Sequence, residues 1–240
     1  MTGPTGTTVL VVNPNTTASM TARIGAAARA VARPGTTVVA VNPDEGPASI
    51  QGYHDVARAV PGLLDVVRRH PQADAVVVAC FDDSGVDAAR CQTDVPVLGI
   101  GEAAFHAAAM VAARFSVVTT LRRSVPGIEA NLVRYGLAAR CARVRASDIP
   151  VLALDRRDAA VMATLRAHVE AALADDGAEA VVLGCAGMAD LAGELAVAYG
   201  VPVVDGVAAA TTFAEALVAT GLTTSKVGAY AAAGDGWSAR

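Results

Sequence analysis

DAVVVAC at residues 74–80 returns as EAVVLGC at residues 179–185. Each copy is an acidic residue, a short apolar run rich in Val, and a terminal Cys. A short continuous apolar run bounded by polar residues reads as a strand buried on both faces. Working outward, VPVLGIGEAA (95–104) matches VPVVDGVAAA (201–210), and Val9–Val12 falls opposite Phe115–Val118, with Asn13 opposite Thr119. Thr37–Val41 falls opposite Arg143–Ser147. Four strands therefore recur in order at an offset of 105 or 106 residues. A period of that size is a duplicated domain and not a solenoid repeat.

Between the strands lie Ala-rich stretches with helical patterning. The strands are expected at Thr8–Val12, Thr37–Val41, Ala75–Ala79, Val95–Leu98, Phe115–Thr119, Arg143–Ala146, Ala180–Leu183 and Val201–Val204. Helices are expected at Thr17–Ala32, His54–Arg69, Ser84–Gln92, Ala103–Ala113, Val125–Tyr135, Arg156–Ala174 and Ala208–Ala219, with a break at Pro61 because proline removes a helical donor. Strand and helix in alternation define an α/β fold. The expectation is two pseudo-symmetric domains, each a mainly parallel four-stranded sheet flanked by helices, with the active site between them.

Composition removes several classes. The chain has 240 residues, 53% hydrophobic and 18% charged, with a net charge of −4. That apolar content excludes a disordered chain, and the absence of a basic stretch argues against a nucleic-acid partner. No apolar run reaches a bilayer's width, so no membrane partner is expected. MTGPTGTTVLVVNPNTT lacks the basic and long apolar regions of a signal peptide, which points to the cytoplasm. An Ala-rich, weakly charged surface suggests a homo-oligomer.

Cys80, Cys91, Cys141 and Cys185 form no CxxC pair and have no His at ligand spacing, so no metal site is expected. Cys80 and Cys185 differ from the other two because they end equivalent strands. In open parallel sheets functional groups gather at the carboxyl ends of strands. Each is followed by a glycine-containing turn into a helix, where N–H dipoles favour a thiolate. Two thiols facing each other across a pseudo-two-fold axis suit racemisation. One removes a proton from a stereogenic carbon beside a carbonyl, the other protonates the opposite face, and backbone N–H groups steady the oxyanion.

These residues resemble the aspartate/glutamate/hydantoin racemase superfamily, most of all its hydantoin-racemase branch. The resemblance is carried by VVNPNTTASMT (11–21), GPASIQGYHD (46–55), VVVACFDDSGVDAAR (76–90), VPVLGIGEAAFHAA (95–108), FSVVTT (115–120), VVLGCAGMADL (181–191), GVPVVDGVAAA (200–210) and GLTTSKVGAY (221–230). It implies a cofactor-independent racemase of a small-molecule substrate, with Cys80 and Cys185 as catalytic acid/bases. It also implies a first domain of 1–98 plus 207–240 and a second of 99–206. Carried over residue by residue, Asn13, Asn15, Thr119 and Thr120 look like pocket residues; Phe81, with Phe105, reads as a pocket wall or simply core. Ser84, Gly85, Gly187 and Met188 would supply backbone donors. Asn-Pro-Asn is also a common turn and cap. Two positions depart from the family pattern: Ser84 stands where proline is frequent, and Gln51 where an acidic residue is expected. Both bear on the substrate more than on the reaction type.

Other motifs carry less. Gly99-Ile100-Gly101-Glu102-Ala103-Ala104 fits a dinucleotide fingerprint but lacks its acidic partner, and reads as a strand-to-helix turn. Asp82 and Asp83 are read as fixing the turn after Cys80. His54 and His106 lie near matched segments, with exposure the simpler reading. The preferred substrate is a 5-monosubstituted hydantoin, allantoin included. Aspartate or glutamate ranks lower, because the free carboxylate asks for positive charge and Lys226 is the only lysine. A maleate-type isomerase using one Cys as nucleophile, and a binding module indifferent to both Cys, are the remaining alternatives.

Overall fold

In the computed structural model, residues 6–155 and 158–232 are described. They form eight strands and eight α-helices: β1 (Thr7–Val12), α1 (Ala18–Val31), β2 (Thr36–Val41), α2 (Tyr53–Arg69), β3 (Ala75–Val78), α3 (Val86–Gln92), β4 (Val97–Gly99) and α4 (Ile100–Val111), then β5 (Phe115–Thr119), α5 (Val125–Arg134), β6 (Cys141–Ala146), α6 (Ala159–Ala174), β7 (Ala180–Gly184), α7 (Ala192–Tyr199), β8 (Val203–Asp205) and α8 (Gly206–Ala219). The strands make two four-stranded sheets with the same topology, β2-β1-β3-β4 and β6-β5-β7-β8. Every pairing is parallel, with one irregularity at Phe115/Ser116. The duplicated α/β fold read from the sequence is the fold observed.

Both faces of each sheet are covered, which explains the unbroken apolar runs. Successive side chains on a strand point to opposite faces. Val9, Val11, Ala75 and Val77 therefore join one core, while Leu10, Val12, Val76 and Val78 join another against Leu63, Val66 and Val67 of α2. The first of these cores continues without interruption into the second half, through Phe105, Phe115, Val117, Ala180 and Val182. Phe105 is fully buried there, in edge contact with Phe81 and stacked with Phe115. A third core, with Val118, Leu165, Val169 and Leu183, covers the outer face of the second sheet.

Two helices cross between the halves. α4 follows β4 yet packs against β7 of the second sheet, and α8 follows β8 yet packs against β3, β1 and α1. α4 and α8 pack on each other. Beyond α8 the chain stays on the first half: Thr224 Oγ1 donates to Val95 O, and Lys226 Nζ donates to Arg90 O and Thr93 O.

α2 runs through Pro61 without a break, against expectation. Pro61 and Ala57, the residue whose carbonyl loses its helical donor, are both exposed, so water satisfies that carbonyl. The buried stripe Ala59, Leu63, Val66 and Val67 keeps the helix on the sheet. α6 begins at Ala159, where the Asp158 side chain caps it by accepting from Val161 N at 2.9 Å. The expected start at Arg156 lies outside the described residues, as does Arg157. α7 has no counterpart among the expected helices; it repeats α3 in the second half.

Candidate active site

Cys80 and Cys185, just beyond the carboxyl ends of β3 and β7, line a single cavity between the halves. Its volume is about 40 Å3, and its walls include Asn15, Phe81, Asp82, Thr119, Thr120 and Ser124. Met20, Ile50 and Val151 close it with apolar surface. Cys91 and Cys141 lie elsewhere. Cys91 Sγ donates to Ala229 O, and Cys141 packs against the shared core, where burial pushes its thiol up to about 12.

The loop carrying Cys80 is held from the opposite half. Asp83 has a left-handed backbone, φ 50°, and its amide donates to Cys80 O at 3.0 Å. Its carboxylate accepts from Gly101 N at 2.9 Å, from Glu102 N at 2.7 Å and from Tyr135 Oη at 2.8 Å. Asp83 thus caps the start of α4, which begins three residues earlier than its Ala-rich stretch suggests. Burial still raises this carboxyl to about 7, above what its three donors restore. The two glycines of the Gly99-Ile100-Gly101 turn make this possible. A Cβ on Gly99 would stand 2.1 Å from Asp83 Oδ1, and one on Gly101 would stand 2.5 Å from Phe81 O. In the second half the equivalent of Gly99 is Asp205, which caps its own helix by accepting from Val207 N and Ala208 N. The repeat is therefore asymmetric at this point. Asn131 Nδ2 adds a further tie, donating to Asp82 O at 3.0 Å.

The Cys80 thiol lies 3.4 Å from Ser84 Oγ. Burial pushes this thiol well above its usual range, the Asp82 charge pushes in the same direction, and the Ser84 contact opposes both. The expected thiolate-favouring helix end is absent here, since α3 starts only at Val86. Cys185 does precede a helical turn directly, as the extended N-cap of a 3-10 helix at Ala186–Leu191. Thr119 Oγ1 donates to Gly184 O at 2.9 Å, fixing the end of β7 just before Cys185.

Of the other residues singled out by sequence, several stand off the cavity wall. Asn13 is buried, and its Nδ2 donates to Asn15 Oδ1 and Thr21 Oγ1, so its amide is engaged inside the turn. Asn15 Oδ1 also accepts from Thr17 N at 2.9 Å, the cap geometry of Asn-Pro-Asn. Gly85 has φ 78° at the N-cap of α3, a conformation glycine adopts without strain, and faces Leu63 and Val60. Met188 is fully buried in the second half's core, while Gly187 is buried between Leu154 and the Cys185 sulfur, which would stand 3.6 Å from a Cβ there. His54 is exposed, and His106 lies in the groove between α4 and α8. Met20, Ile50, Ser124 and Val151 were invisible to sequence reasoning because only tertiary packing brings them to the thiols. Among the described residues, no group of three His, Cys, Asp or Glu side chains is placed to hold a metal ion. No described helix is long and apolar enough to cross a membrane.

A duplicated parallel α/β scaffold with one cysteine from each half in a shared cavity defines a two-half α/β enzyme with its candidate site between the halves. The chain belongs to the Asp/Glu/hydantoin racemase family, matched over residues 9–214, and is an isomerase of the racemase type. It is 50% identical to a hydantoin racemase of Rhizobium meliloti over 92% of both chains. Among solved structures it is similar to allantoin racemase from Klebsiella pneumoniae, with a TM-score of 0.93 and 47% identity over 95% of this chain and 94% of that one. The allantoin racemase from Pseudomonas fluorescens gives 0.91 and 45%, over 94% and 96%.

Proposed function

We propose that this protein racemises 5-monosubstituted hydantoins, allantoin among them, by proton transfer between Cys80 and Cys185 without a cofactor. The observation that carries the reading is that both thiols line one cavity from equivalent strand ends. A thiolate on one side takes the C5 proton, and the electron pair moves into the ring carbonyl. The thiol on the other side then gives its proton to the opposite face of C5. Two thiolates in one small cavity repel each other, so one proton is retained in the pair. The next turnover in the same direction requires the pair to be reset by solvent.

The walls support a neutral ring over a free amino acid. Among the described lining residues there is no Arg, Lys or His, and Asp82 adds negative charge. An α-carboxylate has no counter-charge there. A ring bearing C=O and N–H groups instead meets Thr and Asn side chains able to donate and accept.

The test is polarimetry on single enantiomers of 5-benzylhydantoin, allantoin, aspartate and glutamate, with EDTA present. Racemisation of the hydantoins only is expected, reduced at least about 1,000-fold in Cys80→Ala and in Cys185→Ala. Activity surviving either substitution contradicts the two-thiol assignment. Racemisation of the amino acids alone contradicts the substrate class.

A further inference from the structure

A second cavity adjoins the first. It measures about 150 Å3, is lined by Tyr53, Arg123 and Asn131 among others, and opens outward past Tyr53, which is 70% exposed. Asp82 and Ser124 line both cavities and form the wall between them. At about 40 Å3, the inner cavity has room for the centres of about three waters. A compact ring fills that space, and a substituent on its reacting carbon must leave through a wall.

The carboxylate in that wall is uncommitted. Among the described residues no N–H or O–H donates to the side chain of Asp82; its backbone carbonyl is held by Asn131 and its backbone amide faces the Cys80 sulfur. Its neighbour Asp83 takes three donors in contrast. A half-buried carboxylate without donors lacks compensation for lost hydration, and burial raises it to about 6. A ligand that brings N–H groups supplies what the protein withholds. Ser124 and Arg123, in the same walls, are able to donate to a carbonyl on that ligand.

Resting on the hydantoin-racemase reading above, we propose that Asp82 is the specificity-determining residue: its carboxylate accepts hydrogen bonds from a ureido or similar amide-bearing substituent that extends from the reacting carbon into the outer cavity. The protein on this account prefers a donor-bearing substituent over an alkyl or aryl one.

The experiment compares kcat/KM for allantoin, 5-methylhydantoin and 5-benzylhydantoin in the wild type, Asp82→Ala and the near-isosteric Asp82→Asn. The readout is the ratio of allantoin to 5-methylhydantoin, which is insensitive to a general loss of active protein. The wild type should favour allantoin, and the ratio should fall about 30-fold in Asp82→Ala and less in Asp82→Asn. Circular dichroism checks folding; if the alanine variant does not fold, a fall of a few-fold in the asparagine variant is the supporting result. A wild type that prefers 5-benzylhydantoin, or a ratio unchanged in the variants, overturns this proposal and leaves the racemase reading standing. A wild type that racemises none of the three overturns both.

Discussion

Ser84 Oγ lies 3.4 Å from the sulfur of Cys80. A hydroxyl there stabilises the thiolate, against the desolvation that favours the thiol. Ser84→Ala should therefore raise the Cys80 pKa. Where Cys80 acts as the base, kcat/KM at neutral pH should fall about five-fold, and the acid limb of its pH profile should move upward. A uniform loss at every pH contradicts this role.

Asp83 ties the Cys80 loop to α4, and its carboxyl is raised from 3.8 to about 7 by burial. The folded protein holds that proton up to about pH 7, whereas the unfolded chain releases it near 3.8. More protons are bound in the folded state across this window, so stability falls as pH rises through it. Asp82 and Asp205, each raised to about 6, act in the same sense. Urea midpoints of Asp83→Asn between pH 4 and 7 should show a shallower fall than wild type. Parallel curves for the two proteins contradict it.

Gly101 leaves no room for a side chain against Phe81 O and the Asp83 carboxylate. Gly101→Ala should displace the loop that carries Cys80 and lower kcat more than tenfold, because small misplacement of a reacting group is costly. Gly136→Ala has space, but its φ of 73° strains any side chain; it should lower stability and leave kcat unaffected. Equal kcat losses in the two variants would show that stability, not loop placement, sets the effect.

Phe105 joins the cores of the two halves. Phe105→Ala should destabilise the protein by about 3–5 kcal/mol in denaturant unfolding. Both halves should lose stability in one transition. A transition that splits in the wild type contradicts a shared core.

Much of the fold was legible because the central strands β3, β5 and β7 are buried on both faces and so read as apolar runs. The Cys pair was legible because the repeat places both at the same strand end. Pro61 misled because the Ala57 carbonyl it leaves without a helical donor lies on an exposed face, a property that periodicity does not carry. Asn13 shows the other half of the Asn-Pro-Asn reading: its Nδ2 donates to Asn15 and Thr21 within the turn. Asp82 and Asp83 are adjacent and chemically alike in sequence. Only the approach of Gly101, Glu102 and Tyr135 to Asp83 separates a capping carboxylate from one left facing two cavities. Ile50 comes from a loop, and Ser124 and Val151 from short 3-10 turns, whose nearness to the thiols is set wholly by packing.

The central claim is that two thiols act on opposite faces of one carbon. The most direct measurement is deuterium content during the first few per cent of conversion of one enantiomer of allantoin in D2O. Two bases give a product that carries deuterium at C5 from the first turnovers, while the remaining substrate stays protiated. Product that retains the substrate's own protium would show a single base returning its proton, and would contradict the assignment of Cys80 and Cys185.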